Sequence, residues 1–494
     1  MKHCPGPSVA RDGLAIFAPV GAALALLGAC SSGGSAVAAE APESTTLAEE
    51  SAPAPAALDF EQPPDTQASY PSPPDRPWDP SDTLPSSCVG NAELIPLGVV
   101  DDGSPWRVAD PESRYLVWTD EWSSGEGRHE RWFRWSDAQG ITLIGDYVDA
   151  YLVLPSADGT SVVGSRSVEN TLGDAFRWTQ VGGTTSLDFI PFRLNPAGDV
   201  AVGAGEQGLV RWSADTGSQV VDAGAPLSML MGLAVTTTLD VIAAADRNGR
   251  AFRWTEAEGS VDLGALAGPW SRPAIHHISA NGDVIVGSAY DAQNTGRPIR
   301  WTAANGFREL GAPADTPDDA SVAPHYMSAD GRVIVGQVSA PDASYSYPFR
   351  WTEDAGFQEL LPREQTSYAQ YLSPSGEVVI GDLDGSGVRG FRWTEATGLQ
   401  EIDYPGSWFG IAAGGDLLVG TNAQGPFVHT FGELAGTQPE IVSLAPPELL
   451  PEGWSQPRLE GISEDGRMLF GRAEDPDGRR RLWVLHPSER CSNP

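Results

Sequence analysis

The residues best suited to binding chemistry in this sequence lie at two variable positions of a repeated segment. Each copy has a serine or its equivalent before a tight turn, as in Ser279-Ala280-Asn281-Gly282, and the residue preceding it is apolar. The two positions before that apolar residue change from copy to copy, and a function is expected where copies differ. We predict one polar and aromatic ligand site made of His276, His277, His325, Tyr326, Gln370 and Tyr371. The competing interpretation is that these histidines are simply accommodated in a core.

Motifs of known catalytic or metal chemistry are absent from the sequence. It has no Gly-x-Ser-x-Gly elbow, no His-Glu-x-x-His and no dinucleotide fingerprint in a strand-helix context. The segment 382–386 begins like a calcium loop, but Trp393 stands where that loop needs glutamate. We therefore assign no catalytic residue, no metal site and no cofactor. Loose Ca²⁺ coordination at acidic turns such as Asp475-Pro476-Asp477-Gly478 stays open.

The elements that would position this site come from a repeat of about 43 residues. Its marker is Phe-Arg-Trp-Thr, whose variants carry Trp135, Trp178, Trp212, Trp254, Trp301, Trp351, Trp393 and Trp483. Each unit divides into four short strands: the approach to the serine, a Val-Ile-Val run, Phe-Arg-Trp-Thr, and a segment after a turn, as in 261–264. Four antiparallel strands per unit are typical of one β-propeller blade.

The repeated tryptophans and arginines are interpreted as structural. They occupy one register in nearly every unit, which favours a core between sheets over a sugar-stacking platform. The arginine stems would pack between sheets, with the guanidinium groups on carboxylates or carbonyls. These arginines are Arg134, Arg177, Arg211, Arg253, Arg300, Arg350 and Arg392.

The two ends of the repeat region complement each other. The last unit stops after its third strand, Leu482-Trp483-Val484-Leu485, whereas residues 93–98 resemble a fourth strand and precede the first unit. We predict an all-β fold over residues 88–494: a closed β-propeller of eight or nine four-stranded blades, with the N-terminal strand completing the last blade. Cys88 and Cys491 flank this body, and we predict that they form a disulfide.

The repeat resembles a known family. Phe-Arg-Trp-Thr, Ser-Ala-Asp-Gly and Val-Ile-Val-Gly together are similar to the bacterial extracellular HAF repeat, over about residues 93 to 487. The resemblance implies an exported β-propeller-type protein and brings no shared activity with it.

The N-terminal region carries export signals. Residues 1–29 have Lys2, Arg11 and an apolar run too short to span a bilayer, which is typical of a signal peptide. Leu27-Gly28-Ala29-Cys30 resembles the lipobox of bacterial lipoproteins, which implies lipidation of Cys30 and anchoring in a membrane. In that family the following Ser31 favours the outer membrane, and we expect an exported protein anchored at the outer membrane or the cell surface. The alternative is plain secretion with cleavage near 36–38.

Residues 30–87 form a tether between the anchor and the repeats. They are rich in Ala, Ser, Pro and acids, so they cannot bury enough apolar surface to fold, and we predict disorder. The Pro71–Pro74 run followed by Arg76 also fits a proline-rich recognition motif, which is the alternative function for this segment.

The net charge of the chain limits which binding partners are possible. The formal net charge of −35 excludes nucleic acid and charge-driven binding to anionic membranes. We predict a monomeric, surface-tethered lipoprotein that acts as a non-enzymatic binding or adhesion scaffold for a protein or glycan ligand. The alternative is a polysaccharide-active hydrolase or lyase that uses channel carboxylates such as Glu460 with the histidines.

Overall fold

A computed structural model describes part of the chain. It covers residues 94–485 except 100–106, 110–114, 125–126, 137–139, 149, 169–170, 223–229, 267, 269, 341–344, 362, 364–365, 384–388, 404–405, 413, 416, 423–424, 432–439, 444–451, 464–465 and 467. The signal peptide, Cys30, the tether, Cys88 and Cys491 lie outside the described residues. Among the described residues, all of the regular secondary structure consists of β-strands.

The strands form nine four-stranded antiparallel sheets in the described part of the chain. Eight sheets are built from four consecutive strands each, hydrogen-bonded in chain order. Sheet 1 contains β2 (Arg107–Ala109), β3 (Leu116–Ser124), β4 (Gly127–Ser136) and β5 (Gly140–Val148). Sheet 2 contains β6 (Ala150–Pro155), β7 (Ser161–Val168), β8 (Thr171–Thr179) and β9 (Gly183–Leu187). Sheet 3 contains β10 (Ile190–Leu194), β11 (Val200–Gly205), β12 (Gly208–Ser213) and β13 (Gly217–Asp222).

The next three sheets follow the same pattern. Sheet 4 contains β14 (Leu230–Val235), β15 (Val241–Asp246), β16 (Ala251–Thr255) and β17 (Gly259–Asp262). Sheet 5 contains β18 (Ser271–Ile278), β19 (Val284–Tyr290), β20 (Gly296–Thr302) and β21 (Gly306–Glu309). Sheet 6 contains β22 (Ser321–Met327), β23 (Val333–Ser339), β24 (Ser346–Thr352) and β25 (Gly356–Glu359).

The last three sheets include one that both chain ends build. Sheet 7 contains β26 (Tyr368–Leu372), β27 (Val378–Asp382), β28 (Arg389–Thr394) and β29 (Gly398–Asp403). Sheet 8 contains β30 (Gly406–Ile411), β31 (Leu417–Asn422), β32 (Gly425–Thr430) and β33 (Glu440–Ser443). Sheet 9 contains β34 (Ser455–Ile462), β35 (Leu469–Glu474), β36 (Arg480–Leu485) and, as its fourth strand, β1 (Leu94–Val99). The pairing of β1 with β36 is antiparallel, with Leu94 opposite Leu485, as the sequence predicts.

The turn between the first and second strands is held by the serine and aspartate of the repeat. In sheet 2, Ser156 Oγ donates to Asp158 Oδ1 at 2.6 Å, and the Thr160 backbone N–H donates to the same carboxylate oxygen at 3.0 Å. Gly159 has a φ of +61°, a conformation that glycine adopts without strain. The Ser-Ala-Asp-Gly signature is therefore a turn motif, as predicted.

Apolar clusters fill the space between successive sheets. Nine such clusters are formed by the described residues, and each joins two sheets that follow one another in the chain or, in one case, the last sheet and the first. That last cluster packs Trp118 and Phe133 of sheet 1 against Phe470 and Leu482 of sheet 9. The repeated tryptophans lie in or against these clusters, which confirms their structural interpretation.

The repeated arginines join each sheet to the next one. In five described cases the guanidinium donates to a carbonyl in the first turn of the following sheet, at 2.9 to 3.3 Å; the donors are Arg134, Arg177, Arg211, Arg253 and Arg392. Arg211 also stacks over the ring of Trp254 in the next sheet, 5.5 Å from its centroid. This arrangement confirms the prediction of arginine stems packed between sheets.

The sheets converge at their first strands and spread apart at their fourth. Several consecutive first strands contact each other, including β14 with β18 and β22 with β26. The second strands are buried almost throughout, whereas the fourth strands β17, β21 and β25 are largely exposed or half-buried. The described residues contain no helix long and apolar enough to cross a membrane.

Candidate functional site

The structure brings the predicted site residues together on three neighbouring first strands. His276 and His277 lie on β18, His325 and Tyr326 on β22, and Gln370 and Tyr371 on β26. Sheets 5 and 6 are linked directly at this level, because His276 Nδ1 donates to the carbonyl oxygen of Pro324 at 3.3 Å. Since a carbonyl can only accept, the neutral imidazole carries its proton on Nδ1, and Nε2 is left as an acceptor.

A β-bulge occurs at the same point of these first strands. In β18, Ile275 pairs with Gly287 and His277 with Val286, so His276 has no partner of its own on β19. The pairing of β22 with β23 skips His325 in the same way, and that of β26 with β27 skips Gln370. A bulge re-aims side chains relative to the regular pleat. Three of the six predicted residues are thus the bulged residues.

The bulge recurs at the same position in most of the repeats. In six of the nine described first strands the skipped residue lies three places before the serine or its equivalent; these residues are Phe192, His276, His325, Gln370, Phe409 and Glu460. In sheets 2 and 4 the bulge lies two residues earlier, at Tyr151 and Met231. The same backbone feature therefore carries different residues in different sheets.

The glycine that ends each Val-Ile-Val run is required by this bulge. A Cβ on Gly287 would lie 2.0 Å from the carbonyl oxygen of Ala274, and one on Gly336 would lie 2.1 Å from that of Ala323. In sheet 4 the residue equivalent to Gly287 is Ala244, which pairs regularly with Leu233, and the bulge lies two residues earlier. Sequence analysis quoted this glycine only as part of a motif and missed its connection with the site.

The three histidines are desolvated, and His325 is also exposed. His325 is an exposed residue, while desolvation by the surrounding protein and the nearby His276 lower the pKa of its imidazole. Exposure and desolvation occur together where a side chain lines a concave, water-accessible surface. Desolvation, with smaller effects of His276 and His325, lowers the pKa of His277 to about 4. These imidazoles are therefore neutral at pH 7 and can donate and accept hydrogen bonds.

The two tyrosines of the predicted site contribute partly to the core. Tyr326 packs against the cluster between sheets 6 and 7, and burial raises the pKa of its phenol. Tyr371 packs against the cluster between sheets 7 and 8, and its hydroxyl donates to the Ala412 carbonyl oxygen at 3.2 Å. Both rings are half-buried, so they support the bulged residues rather than project freely.

Two further residues lie near the bulge of a first strand and were not assigned to the site from the sequence. Tyr368, at the start of β26, is 39% exposed, close to Gln370. Arg193 follows the bulge of β10 and donates to the Phe192 carbonyl oxygen at 2.8 Å, and desolvation lowers its pKa. The same register that located the histidines contains Arg193, so the signal for it was present in the alignment of repeats.

Among the described residues, no group of three or more His, Cys, Asp and Glu side chains could hold a metal ion. Glu460, the carboxylate considered for catalysis, forms an ion pair with Arg472 at 2.7 Å. His276, His325 and Gln370 offer neutral hydrogen-bonding groups. The strand that carries Gln370 also carries an exposed aromatic ring, that of Tyr368. Such a surface suits recognition of a polar, uncharged ligand.

Comparison with known proteins identifies no relative. No family model matches this chain, and no curated protein matches it. Solved structures with a similar arrangement include the Dos1 propeller, with 14% identity, a TM-score of 0.41 and coverage of 68% of this chain and 92% of that one. The C-terminal WD40 domain of Sif2 has 13% identity, a TM-score of 0.38 and coverage of 80% and 98%. The β-propeller domain of the Trilobed protease from Pyrococcus furiosus has 9% identity, a TM-score of 0.34 and coverage of 63% and 98%.

The class of the molecule follows from its own sheets. Successive four-stranded antiparallel sheets, packed face to face and converging at their first strands, are those of a β-propeller-type repeat protein. The HAF resemblance stays a prediction, because no family model matches.

Proposed function

We propose that the chain forms a closed nine-bladed β-propeller whose first strands line the axial channel, and that it binds a ligand there without catalysis. Closure is supported by β1, which supplies the fourth strand of sheet 9, and by the apolar cluster between sheets 9 and 1. With that cluster, each of the nine sheets packs against two others. A closed ring has no terminal sheet. It therefore lacks the exposed apolar faces that the two end sheets of an open array would have.

The observation that carries the binding function is the set of bulged residues at one equivalent position in six sheets. A repeat protein built for packing alone would be expected to keep similar residues at equivalent positions. Here the backbone is constant and the presented side chain changes from Phe192 to His276 to Gln370. In a propeller these positions face the channel, the usual place for ligands. The neutral imidazoles, the Gln370 amide and the Tyr368 ring favour a glycan, which offers hydroxyl groups and apolar ring faces.

The proposed setting is the cell surface, with the propeller anchored through lipidated Cys30 and held away from the membrane by residues 30–87. A disulfide between Cys88 and Cys491 would fix the seam where the chain ends meet. The spacing of the cysteines from the paired ends supports this disulfide. Leu94 pairs with Leu485, Cys88 lies six residues before Leu94, and Cys491 lies six residues after Leu485. Continuing the antiparallel register outward would set the two cysteines opposite each other.

The experiment is a binding screen of the purified full chain on neutral glycans and peptides, followed by variants. We expect H325A and Q370A to weaken glycan binding about tenfold or more with an unchanged melting temperature. The matched control is Q358A, which removes the same side chain from the exposed fourth strand of sheet 6 and should bind like the parent chain. Binding that survives both site variants would contradict the axial site. Release of glycan product would replace the scaffold with the hydrolase or lyase.

A further inference from the structure

Charged residues are divided unevenly between the inner and outer strands of the described sheets. The chain as a whole has 66 acidic and 31 basic residues. The fourth strands follow this bias, with eight aspartates and glutamates and one arginine, Arg308. The first strands reverse it, because they carry one carboxylate, that of Glu460, and four arginines. These arginines are Arg107, Arg193, Arg272 and Arg458. The inner strands of a strongly acidic protein are therefore basic.

The one carboxylate on the described first strands is already paired. Glu460 Oε1 lies 2.7 Å from Nε of Arg472, on the second strand of the same sheet. Arg458 lies directly opposite Arg472 in the pairing of β34 with β35, and like charges in opposite positions repel each other. The Arg458 side chain is exposed and forms no ion pair or hydrogen bond with the residues that the structure describes. Together these three side chains have one positive charge in excess.

Arg193 is a second cation without a counterion on a first strand. It is half-buried on β10, and its one guanidinium hydrogen bond to a described residue runs from Nη1 to the Phe192 carbonyl oxygen at 2.8 Å. Its other guanidinium nitrogens are in contact with solvent, since none of them is a buried atom that lacks a partner. Desolvation lowers the pKa of Arg193, and no described carboxylate opposes that effect. Partial burial of an unpaired charge is costly, and a bound anion would offset that cost.

The acidic outer strands do not cancel the charge of the inner ones. Adjacent strands of a sheet lie about 4.8 Å apart, so the first and fourth strands are separated by about 14 Å. In about 0.15 M salt the Debye length is about 8 Å, and exposed charges farther apart than this are largely screened from each other. A ligand beside the first strands therefore interacts mainly with their arginines.

We propose that the glycan bound at the first strands is acidic, and that Arg193 and Arg458 bind its carboxylate groups. This inference rests on the proposed axial site and names the class of glycan that the site takes. The imidazoles of His276 and His325 would bind the hydroxyl groups of the same ligand. The planar fork of each guanidinium matches a carboxylate, which it binds through two parallel hydrogen bonds.

The test is isothermal titration of the full chain at pH 7, in about 0.15 M salt, with two matched pairs of oligosaccharides. One pair is tetragalacturonic acid and its methyl ester. The other is cellotetraose carrying carboxylates at C6 and unmodified cellotetraose. We expect at least one acid to bind at least tenfold more tightly than its neutral counterpart. R193Q and R458Q should each reduce the affinity for that acid about fivefold or more, with unchanged affinity for the neutral counterpart and an unchanged melting temperature.

The matched control is R308Q, which removes the same charge from a fourth strand, where Arg308 pairs with Glu353 at 2.8 Å. This variant should bind both members of each pair like the parent chain. A preference for the acid that R193Q or R458Q lowers and R308Q keeps supports the inference. No saturable binding of either acid, or unchanged affinity in both R193Q and R458Q, would overturn it. Equal affinity for acid and neutral counterpart would also overturn it, but would leave the axial site for neutral glycans standing; that site is tested separately by H325A and Q370A.

Discussion

The Nδ1 atom of His276 lies 3.3 Å from the carbonyl oxygen of Pro324, so a bulged side chain of one sheet is hydrogen-bonded to the residue just before the bulge of the next. The donor and the acceptor belong to equivalent segments of adjacent repeats. The orientation of the His276 side chain therefore depends on how sheets 5 and 6 pack together. The histidine is thereby oriented before any ligand arrives, and less ordering entropy is lost on binding.

Acid should destabilise the fold through His429. This residue occupies the tryptophan position of the repeat in sheet 8; it is 6% exposed, and its Nδ1 has no hydrogen-bond partner among described residues. Desolvation lowers its pKa to about 4, whereas an unfolded histidine titrates near 6.5. The unfolded state therefore takes up the proton first, so stability is complete above pH 6.5 and falls as the pH drops toward 4. The loss amounts to about 3 kcal/mol.

The variant that checks this is H429L, which removes both the titrating group and an unsatisfied buried nitrogen. Urea denaturation at pH 7.5 and pH 4.5 should show that H429L loses less stability on acidification than the parent chain, by about 2 to 3 kcal/mol. Effects of carboxylate protonation cancel in this comparison. An equal loss in both chains would contradict the prediction.

Substitution of the glycine facing the bulge should be severe. A Cβ on Gly336 would lie 2.1 Å from the Ala323 backbone oxygen, so either the bulge or the strand pairing must move. We expect G336A to cost about 3 kcal/mol or more and to disturb the neighbouring His325. Urea denaturation measures this cost. The control is G356A, at a turn with φ of +70° and no atom near its Cβ, which should cost about 1 kcal/mol.

These glycines show which parts of the molecule can be predicted from the sequence. The four strands of a unit are predictable because turn residues and alternation are local signals, and the complementary chain ends predict the pairing of β1 with β36. The bulge is different, because it depends on how a carbonyl such as that of Ala274 sits over Gly287 in the partner strand. Comparison between repeats could reveal the bulge, whereas a single repeat could not.

The cysteines offer a chemical test of where the chain ends lie. Leu94 pairs with Leu485, and the same register, if continued for six residues, would set Cys88 opposite Cys491. Mass spectrometry of the unreduced protein should recover one peptide pair linked through these residues. Replacing both by serine should lower the free energy of unfolding by about 2 to 5 kcal/mol, because the bond closes a very long loop. Two free thiols at these positions in oxidised material would contradict the pairing.

Closure of the ring can be tested energetically at the contact between the last and first sheets. Leu482 of sheet 9 is fully buried in the cluster that contains Trp118 and Phe133 of sheet 1. If the sheets meet there, L482A creates a cavity and costs about 2 to 5 kcal/mol. The control is L209A, because Leu209 is 2% exposed in the cluster between sheets 3 and 4, where the chain itself holds the sheets together. Urea denaturation should give similar costs for the two variants, each in one cooperative transition. A cost below about 1 kcal/mol for L482A alone would mean that sheet 9 has a free face and that the propeller is open.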